Sequence, residues 1–438
     1  PLIGEVARMG TFKRIWKKFD RSSWKVKSTT MKKKDILFLC QFFYPEHNSS
    51  ATLPFDTATY LAEHGLQVDA LCGYPKEYTK EKDVPLYEKV KNVGIKRIKY
   101  VEVSRQSFWG RLINYFSFTF GALLNVTQLR KYKIIIVYSN PPILPCVALL
   151  ANFLFKTKVV FVSYDVYPEV AYASKSLRPG SLIDFIMKRI NKFLYHRASM
   201  VVALTDEMKD FLLKNRPQLS ENRICTIANW AHEMKIPVTP ESYQRFGYPN
   251  GQFIVSYFGN MGICQDMNTL LGAIRLTKDN PAIQYLIVGH GSKMEFVKKS
   301  VRNMPHVKVL DFLVGKDFEQ AVSISSVSIV SLEKGLKGTW APSKYYSYLQ
   351  GGKAVIAIVE KDSYLADEVS KENVGIYVEI GDSKKLADVL TSLQQNPKRV
   401  DAMGQNAEQI YNEKYRLEVG LSQYYKMIQR LLWQRKRV

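Results

Sequence analysis

The segment Phe253-Ile254-Val255-Ser256-Tyr257-Phe258-Gly259-Asn260-Met261-Gly262 decides the fold. An apolar run rich in β-branched and aromatic residues ends in a glycine turn, and a helical pattern follows over 268–277. That order is the strand, turn and helix of a parallel sheet, with bare backbone N–H groups gathered at the strand's carboxyl edge. Outward from it, strands are predicted over 284–288, 307–310, 327–331, 354–358 and 375–378, with helices between them. Toward the N-terminus the alternation recurs, with strands over 35–40, 67–71, 96–101, 134–138, 159–162, 200–204 and 223–227. Helices are expected over 51–63, 111–130, 144–155 and 181–196, and a last one over 419–433. The pattern predicts an α/β chain of two Rossmann-like, doubly wound parallel-sheet domains facing a central cleft, where ligands sit outside the carboxyl ends of the strands. The boundaries read as a basic amphipathic extension over 1–30, domains over 31–230 and 231–418, and a basic helix over 419–438 able to pack back on the N-terminal domain.

Composition supports two cores: 438 residues, 46% hydrophobic and 12% aromatic. The net charge of +23 is concentrated at the ends. Residues 1–34 hold eleven Lys/Arg against Glu5 and Asp20, and residues 426–438 hold five with no acid. Such ends suit an anionic membrane surface or nucleic acid. A nucleic-acid protein would spread its basic residues along a groove with stacking aromatics, so that class is set aside. Five dispersed cysteines without a CxxC pair point to a reducing compartment. No cleavable signal is read; the chain opens on Pro1, and Met31 followed by three lysines has the form of a native start. Leu112 to Leu129 is uncharged, but its Asn, Ser, Thr and Gln residues favour a buried or interfacial helix over a membrane span.

Several segments at strand ends carry candidate chemistry. Gly259 to Gly262 is a turn able to approach an anion, although a purely structural turn fits the same pattern. Gly289-His290-Gly291 closes another strand and leaves room for a base or ribose. In Gly338-Thr339-Trp340-Ala341-Pro342-Ser343-Lys344, Pro342 and Ser343 suit a helix start and Gly351-Gly352 its end. Lys344 then falls in a first turn, where the macrodipole disfavours lysine. A diphosphate bound at the helix start would account for it, and a solvated lysine on an ordinary helix is the alternative. In the N-terminal half, Tyr44-Pro45-Glu46 with Asn48, Ser49 and Ser50 forms one cleft loop, and Asp165 to Glu169 another. Either Asp165 or Glu169 could orient a hydroxyl or cap the next helix.

Eight segments, in order and at matching spacing, resemble the GT-B glycosyltransferases of family 4 that build bacterial colanic acid, O-antigen and capsule units. They are Phe43-Tyr44-Pro45-Glu46, Asn140-Pro141-Pro142, Asp165 to Glu169, Arg197-Ala198-Ser199, Ile227 to Trp230, Gly259 to Gly262, Val288 to Gly291 and Pro342-Ser343-Lys344. The resemblance implies an N-terminal acceptor domain, a C-terminal nucleotide-sugar domain, and retention of configuration without a metal or other cofactor. It implies catalytic roles for Lys344 and Asp165. Donor contacts would come from Asn260, Gly262, Gly289, His290, Gly291, Pro342, Ser343 and Ser347, and acceptor contacts from Glu46, Asn48, Ser50 and Glu169. The family's paired glutamates fall on Thr339 and Ser347 here, and a serine forfeits the charge-assisted bond to ribose. The usual Arg and Lys after the glycine turn are also absent, with Asn260, Gln265 and Asp266 nearby.

The expected activity is transfer of a hexose or N-acetylhexosamine from a UDP-sugar to a lipid-linked saccharide in surface polysaccharide biosynthesis. Alternatives are the same fold acting on a protein or small-molecule acceptor, or a catalytically impaired homologue serving a partner. A peripheral cytoplasmic position at the inner face of the cell membrane follows from Phe12, Ile15, Trp16, Phe19 and Trp24 among lysines, the basic C-terminus and the 112–129 helix.

Overall fold

The computed structural model describes residues 33–75, 79, 83–101, 103, 108–234 and 237–433. The basic extension over 1–30 and the basic tip beyond Trp433 lie outside the described residues.

The N-terminal domain comprises β1 (Lys34–Leu39), α1 (Ser49–Glu63), β2 (Val68–Gly73), β3 (Tyr87–Val90), β4 (Val93–Ile98) and α2 (Phe108–Leu124). It continues with β5 (Tyr132–Tyr138), α3 (Pro145–Phe155), β6 (Lys158–Val162), α4 (Glu169–Ala173), α5 (Leu182–Arg197), β7 (Met200–Ala203), α6 (Asp206–Asn215) and β8 (Ile224–Thr226). The C-terminal domain holds α7 (Pro240–Arg245), β9 (Phe253–Asn260), α8 (Asn268–Leu276), β10 (Ile283–His290), α9 (Met294–Ser300), β11 (Val307–Asp311) and α10 (Lys316–Ser323). After these come β12 (Val327–Ser331), α11 (Lys344–Gln350), β13 (Ala354–Val359), α12 (Tyr364–Lys371), β14 (Gly375–Glu379), α13 (Ser383–Gln394), α14 (Pro397–Ile410) and α15 (Leu417–Trp433).

The sheets run β3-β4-β2-β1-β5-β6-β7-β8 and β11-β10-β9-β12-β13-β14. All described pairings are parallel except β3 with β4. That edge hairpin corrects the strand expected at 96–101. The reversal uses Lys91 and Asn92 at φ 46° and 65°, without the glycine that would have announced it. The expected helix over 111–130 is α2 followed by a 3-10 turn over Val126–Lys131. Among the described residues no helix is long and apolar enough to cross a membrane.

Strand residues alternate between two cores. Leu37, Leu39, Val137 and Phe161 face α2, α3, α5 and α6, whereas Ile36, Phe38, Ile136 and Val160 face α1 and α15. The last helix therefore returns from the C-terminal domain to cover the N-terminal sheet, with Leu421, Tyr424 and Ile428 buried there. Each sheet reverses its winding once, between β1 and β5 and between β9 and β12. The loops part at these points, and ligands of doubly wound sheets bind there.

Candidate active site

At the C-terminal switch point β9 passes into Gly259 at φ 105°, which keeps the strand end low. Lys344 lies over it: a Cβ on Gly259 would stand 3.7 Å from Lys344 Cε. Nζ sits 3.8 Å from the centroid of the Tyr257 ring. The residue is half-buried, yet its ammonium tip is sealed and has no hydrogen-bond partner. Burial pushes its pKa down to about 7. An anion beside it would supply the missing partner.

Helix α11 begins at Lys344 itself. Ser343 caps it without a side-chain bond, and Tyr345 N–H reaches the Pro342 carbonyl at 3.2 Å. The Ser343 hydroxyl turns across the cleft to Ser49 Oγ at 3.3 Å. Ser347 is half-buried one turn along the helix.

The glycine pairs serve packing first. A Cβ on Gly289 would stand 1.9 Å from the Gly259 carbonyl oxygen, and one on Gly291 would meet Asn260 Oδ1 at 2.5 Å. The Gly262 N–H is already taken by Gln265 Oε1 at 2.9 Å. Asp266 caps α8 by accepting from Asn268 and Thr269 N–H at 2.9 and 3.2 Å. The Gly262 N–H and the α8 start are thus occupied by this chain's side chains, whereas the Lys344 ammonium has no hydrogen-bond partner among the described residues. His290 is half-buried, its ring edge-on to Phe312 at 5.1 Å.

Two residues not singled out in the sequence border this turn. Lys293 Nζ donates to the Gln265 carbonyl at 2.6 Å and to Glu333 Oε1 at 2.6 Å. Nothing in Gly291-Ser292-Lys293 marks that pairing, because Glu333 comes from the end of a distant strand.

Facing this, the loop after β1 brings Gln41, Glu46 and Asn48. Glu46 is buried, and the buried amide atoms of Gln41 and Asn48 Oδ1 lack partners, as does Asn140 Oδ1 after β5. Ser50 follows in the first turn of α1, half-buried. Arg97, on β4 and buried, steadies this loop by donating to the Tyr44 carbonyl at 2.8 Å. Its other nitrogen reaches the Pro85 carbonyl at 2.7 Å.

Asp165 is held by its backbone. Its N–H donates to Ser139 Oγ at 3.0 Å, and it pairs with Trp340 in an isolated antiparallel bridge. Burial raises its carboxyl to about 6. Cys264, just beyond the glycine turn, is pushed up to about 12 by burial first and by the Asp165 charge second. Asp165 also lines a small pocket with Ser139, Tyr167, Asn191 and Tyr195. Glu169 differs: both its oxygens accept from Arg216 Nη2, at 2.8 and 2.7 Å, so its charge is spent inside the N-terminal domain.

Glu207, at the start of α6, reaches across the cleft. Its two oxygens accept from the Gly338 N–H at 2.9 Å and the Tyr364 N–H at 3.1 Å. No sequence motif marks it. Among the described residues, no three or more His, Cys, Asp or Glu side chains gather as a metal-ligand group.

Two doubly wound domains, meeting at their carboxyl edges around an unpartnered cation, define a GT-B glycosyltransferase architecture. Residues 55–230 match the glycosyl transferase 4-like domain and residues 238–410 the glycosyl transferases group 1. The chain belongs to the GT-B glycosyltransferases of the family-4 type. A probable glycosyltransferase of Pseudomonas aeruginosa, WbjE, is 24% identical over 327 residues, 73% of this chain and 80% of its own length. Sucrose-phosphate synthase of Thermosynechococcus elongatus shares the fold with a TM-score of 0.70 at 14% identity, over 92% of this chain and 100% of that one. HepE of Anabaena, solved with UDP and glucose, gives 0.65 at 16% identity, over 90% and 99%.

Proposed function

We propose that this chain is a retaining, metal-independent glycosyltransferase moving a hexose or N-acetylhexosamine from a UDP-sugar to a lipid-linked saccharide in surface polysaccharide biosynthesis. The observation that carries the reading is Lys344, a sealed and unpartnered ammonium above Gly259 at the sheet's switch point. A diphosphate beside it would satisfy the ammonium and restore its charge at neutral pH. Structures of the similarly folded HepE with UDP and with UDP-glucose support a UDP-sugar as donor. The Pro342–Ser343 step, Asn260 and Gly262 would border the phosphates, Gly289 to Gly291 the nucleoside, and Ser347 the ribose.

In the reaction the acceptor oxygen bonds to the anomeric carbon on the face the leaving group departs from. The bond from that carbon to the UDP phosphate oxygen breaks, and the acceptor proton passes to the departing phosphate. Lys344 stabilises the charge building on that phosphate, the role a metal has in other transferases. Asp165, whose backbone pairs with Trp340 of the donor domain, would orient the reacting sugar, while Glu46, Asn48 and Ser50 would receive the acceptor. The unpartnered Gln41, Asn48 and Asn140 atoms suit hydroxyl-rich ligands. Glu169 is the weakest member of this set, since Arg216 holds it. We further assign a peripheral position at the inner membrane face, where a lipid-linked acceptor is met.

A donor panel read by release of free UDP, with and without polyprenyl-diphosphate saccharides, tests the reading. Turnover should need both substrates and persist in EDTA. Absence of thermal stabilisation by any UDP-sugar at millimolar concentration sinks the donor assignment.

A further inference from the structure

Helices α2, α3 and α5 lie side by side on one face of the N-terminal sheet, and their inner residues Phe118, Ala148 and Leu194 join one core. Their outer surfaces are unusually apolar for solvent. On α2, Ile113, Phe116, Phe120 and Leu124 form a stripe at helical spacing, with Phe116, Phe120 and Leu124 exposed by 59%, 62% and 69%. On α5, Leu182, Ile183, Phe185, Ile186 and Phe193 are exposed, Leu182 by 75%. Phe153 and Leu154 at the end of α3 add to the same layer. An apolar surface shared by neighbouring helices marks an interaction site, unlike scattered single residues.

The charge around it identifies the partner. No Asp or Glu occurs between Glu102 and Asp165, and only Asp184 between Glu169 and Asp206. Asp184 is buried and bound by the Gly180 N–H at 2.7 Å and by Lys188 at 3.0 Å. The exposed cations stand over the aromatic rings: Lys156 by Phe153 at 6.0 Å, Arg189 by Phe185 at 5.5 Å, and Arg197 by Phe193 at 5.4 Å. Apolar side chains interleaved with long cations, with no exposed acid on α2, α3 or α5 themselves, match the acyl boundary and phosphates of an anionic bilayer.

From this we infer that the α2–α3–α5 face is the surface by which the enzyme docks on an anionic lipid bilayer. The inference rests on the proposed lipid-linked acceptor and says which face meets the lipid. Because helices run back along their strands, the N-terminal ends of α2, α3 and α5 stand at the carboxyl edge of the sheet. Leu182 and Ile183 therefore lie on the cleft side, and the pocket lined by Asp165 and Asn191 sits between α5 and the ends of β5 and β6. A lipid-linked sugar could enter the cleft while its chain stays in the bilayer. Helix α15, with Lys426 and Arg430, covers the opposite sheet face and cannot share this contact.

The test is flotation of the full chain with vesicles of equal parts phosphatidylglycerol and phosphatidylcholine, and with phosphatidylcholine alone. The unaltered chain should float with the anionic vesicles. F116E/F120E and F185E/I186E should each lower partitioning by at least about tenfold while keeping the unaltered thermal stabilisation by UDP. The milder R189Q/R197Q, at two exposed side chains that make no ion pair with Asp184, should weaken binding to the anionic vesicles and leave the fold intact. Variants that float like the unaltered chain overturn this face and leave the lipid-linked acceptor standing. If the unaltered chain does not float, the face and the membrane position both fall. If it self-associates through this face, with flotation unchanged in the then monomeric variants, the occupant is a second copy and the inference is wrong.

Discussion

Asp165 and Trp340 form a two-residue antiparallel bridge across the cleft, reinforced by the Val166 N–H donating to the Thr339 carbonyl at 3.0 Å. The bridge ties the loop after β6 to the loop that ends at Lys344. The proposed sugar-facing carboxylate and the phosphate-facing ammonium are thereby placed by one backbone contact between domains. Opening the cleft must break it, so closure and assembly of the site become a single event.

Lys344→Met should weaken UDP binding about 10–100-fold, the worth of one charge-assisted bond, as measured by calorimetry. The ammonium's folded pKa of about 7 lies below its ordinary 10.5, so the unfolded chain holds the extra proton between them. Stability from this group is therefore present above 10.5 and lost as pH falls through about 7. The substitution should stabilise the ligand-free protein most below that pH. UDP binding to the unaltered chain should take up a proton near pH 8, a linkage the variant lacks.

Asp165→Asn tests the opposite sign. Its carboxyl is raised from 3.8 to about 6, so the stability it allows is full below 3.8 and lost as pH rises through about 6. Above that pH the variant should be more stable by about 1–3 kcal/mol, in denaturant titrations, while sugar transfer falls. Equal stability across the whole range would show that the carboxylate is solvated.

Glu207→Ala leaves the Gly338 and Tyr364 N–H groups without their acceptor. The cost should be about 1–3 kcal/mol, with a larger radius of gyration in small-angle scattering as the domains part. Gly338→Ala should act in the same direction, since φ is 68° and its Cβ would stand 2.8 Å from Phe211 Cβ. An unchanged radius in both would mean that this contact does not hold the cleft closed.

Gly289→Ala should be the most damaging of the glycine substitutions at the site. The obstacle is the Gly259 carbonyl, a backbone atom in a paired strand, which no side-chain rotation can clear. Loss of about 1–3 kcal/mol or more is expected, together with loss of UDP stabilisation, because the displaced strand carries the turn beneath Lys344. A soluble variant with full UDP affinity would contradict this.

The two parallel sheets were legible because strands buried on both faces need continuous apolar runs, and such runs are a local property. The β3–β4 hairpin was not, since Tyr87–Val90 is a solvent-facing edge and its turn uses Lys91 and Asn92. In the site, Lys344 stood out because a lysine at a helix start runs against the backbone dipole. What surrounds it could not be read locally. The Tyr257 ring, the Gly259 turn and Ser49 come from distant strands and loops. Gly262 and Glu169 likewise had the residue types of ligand contacts, but Gln265 and Arg216 claim them in the fold.

By itself the sequence determined the two sheets and the lysine at a helix start, through burial pattern and residue order. Only the tertiary structure decided which polar groups stay unpaired. Hydrogen-bond partners are allotted by contacts far apart in the chain, and in the folded enzyme Lys344 is left without one.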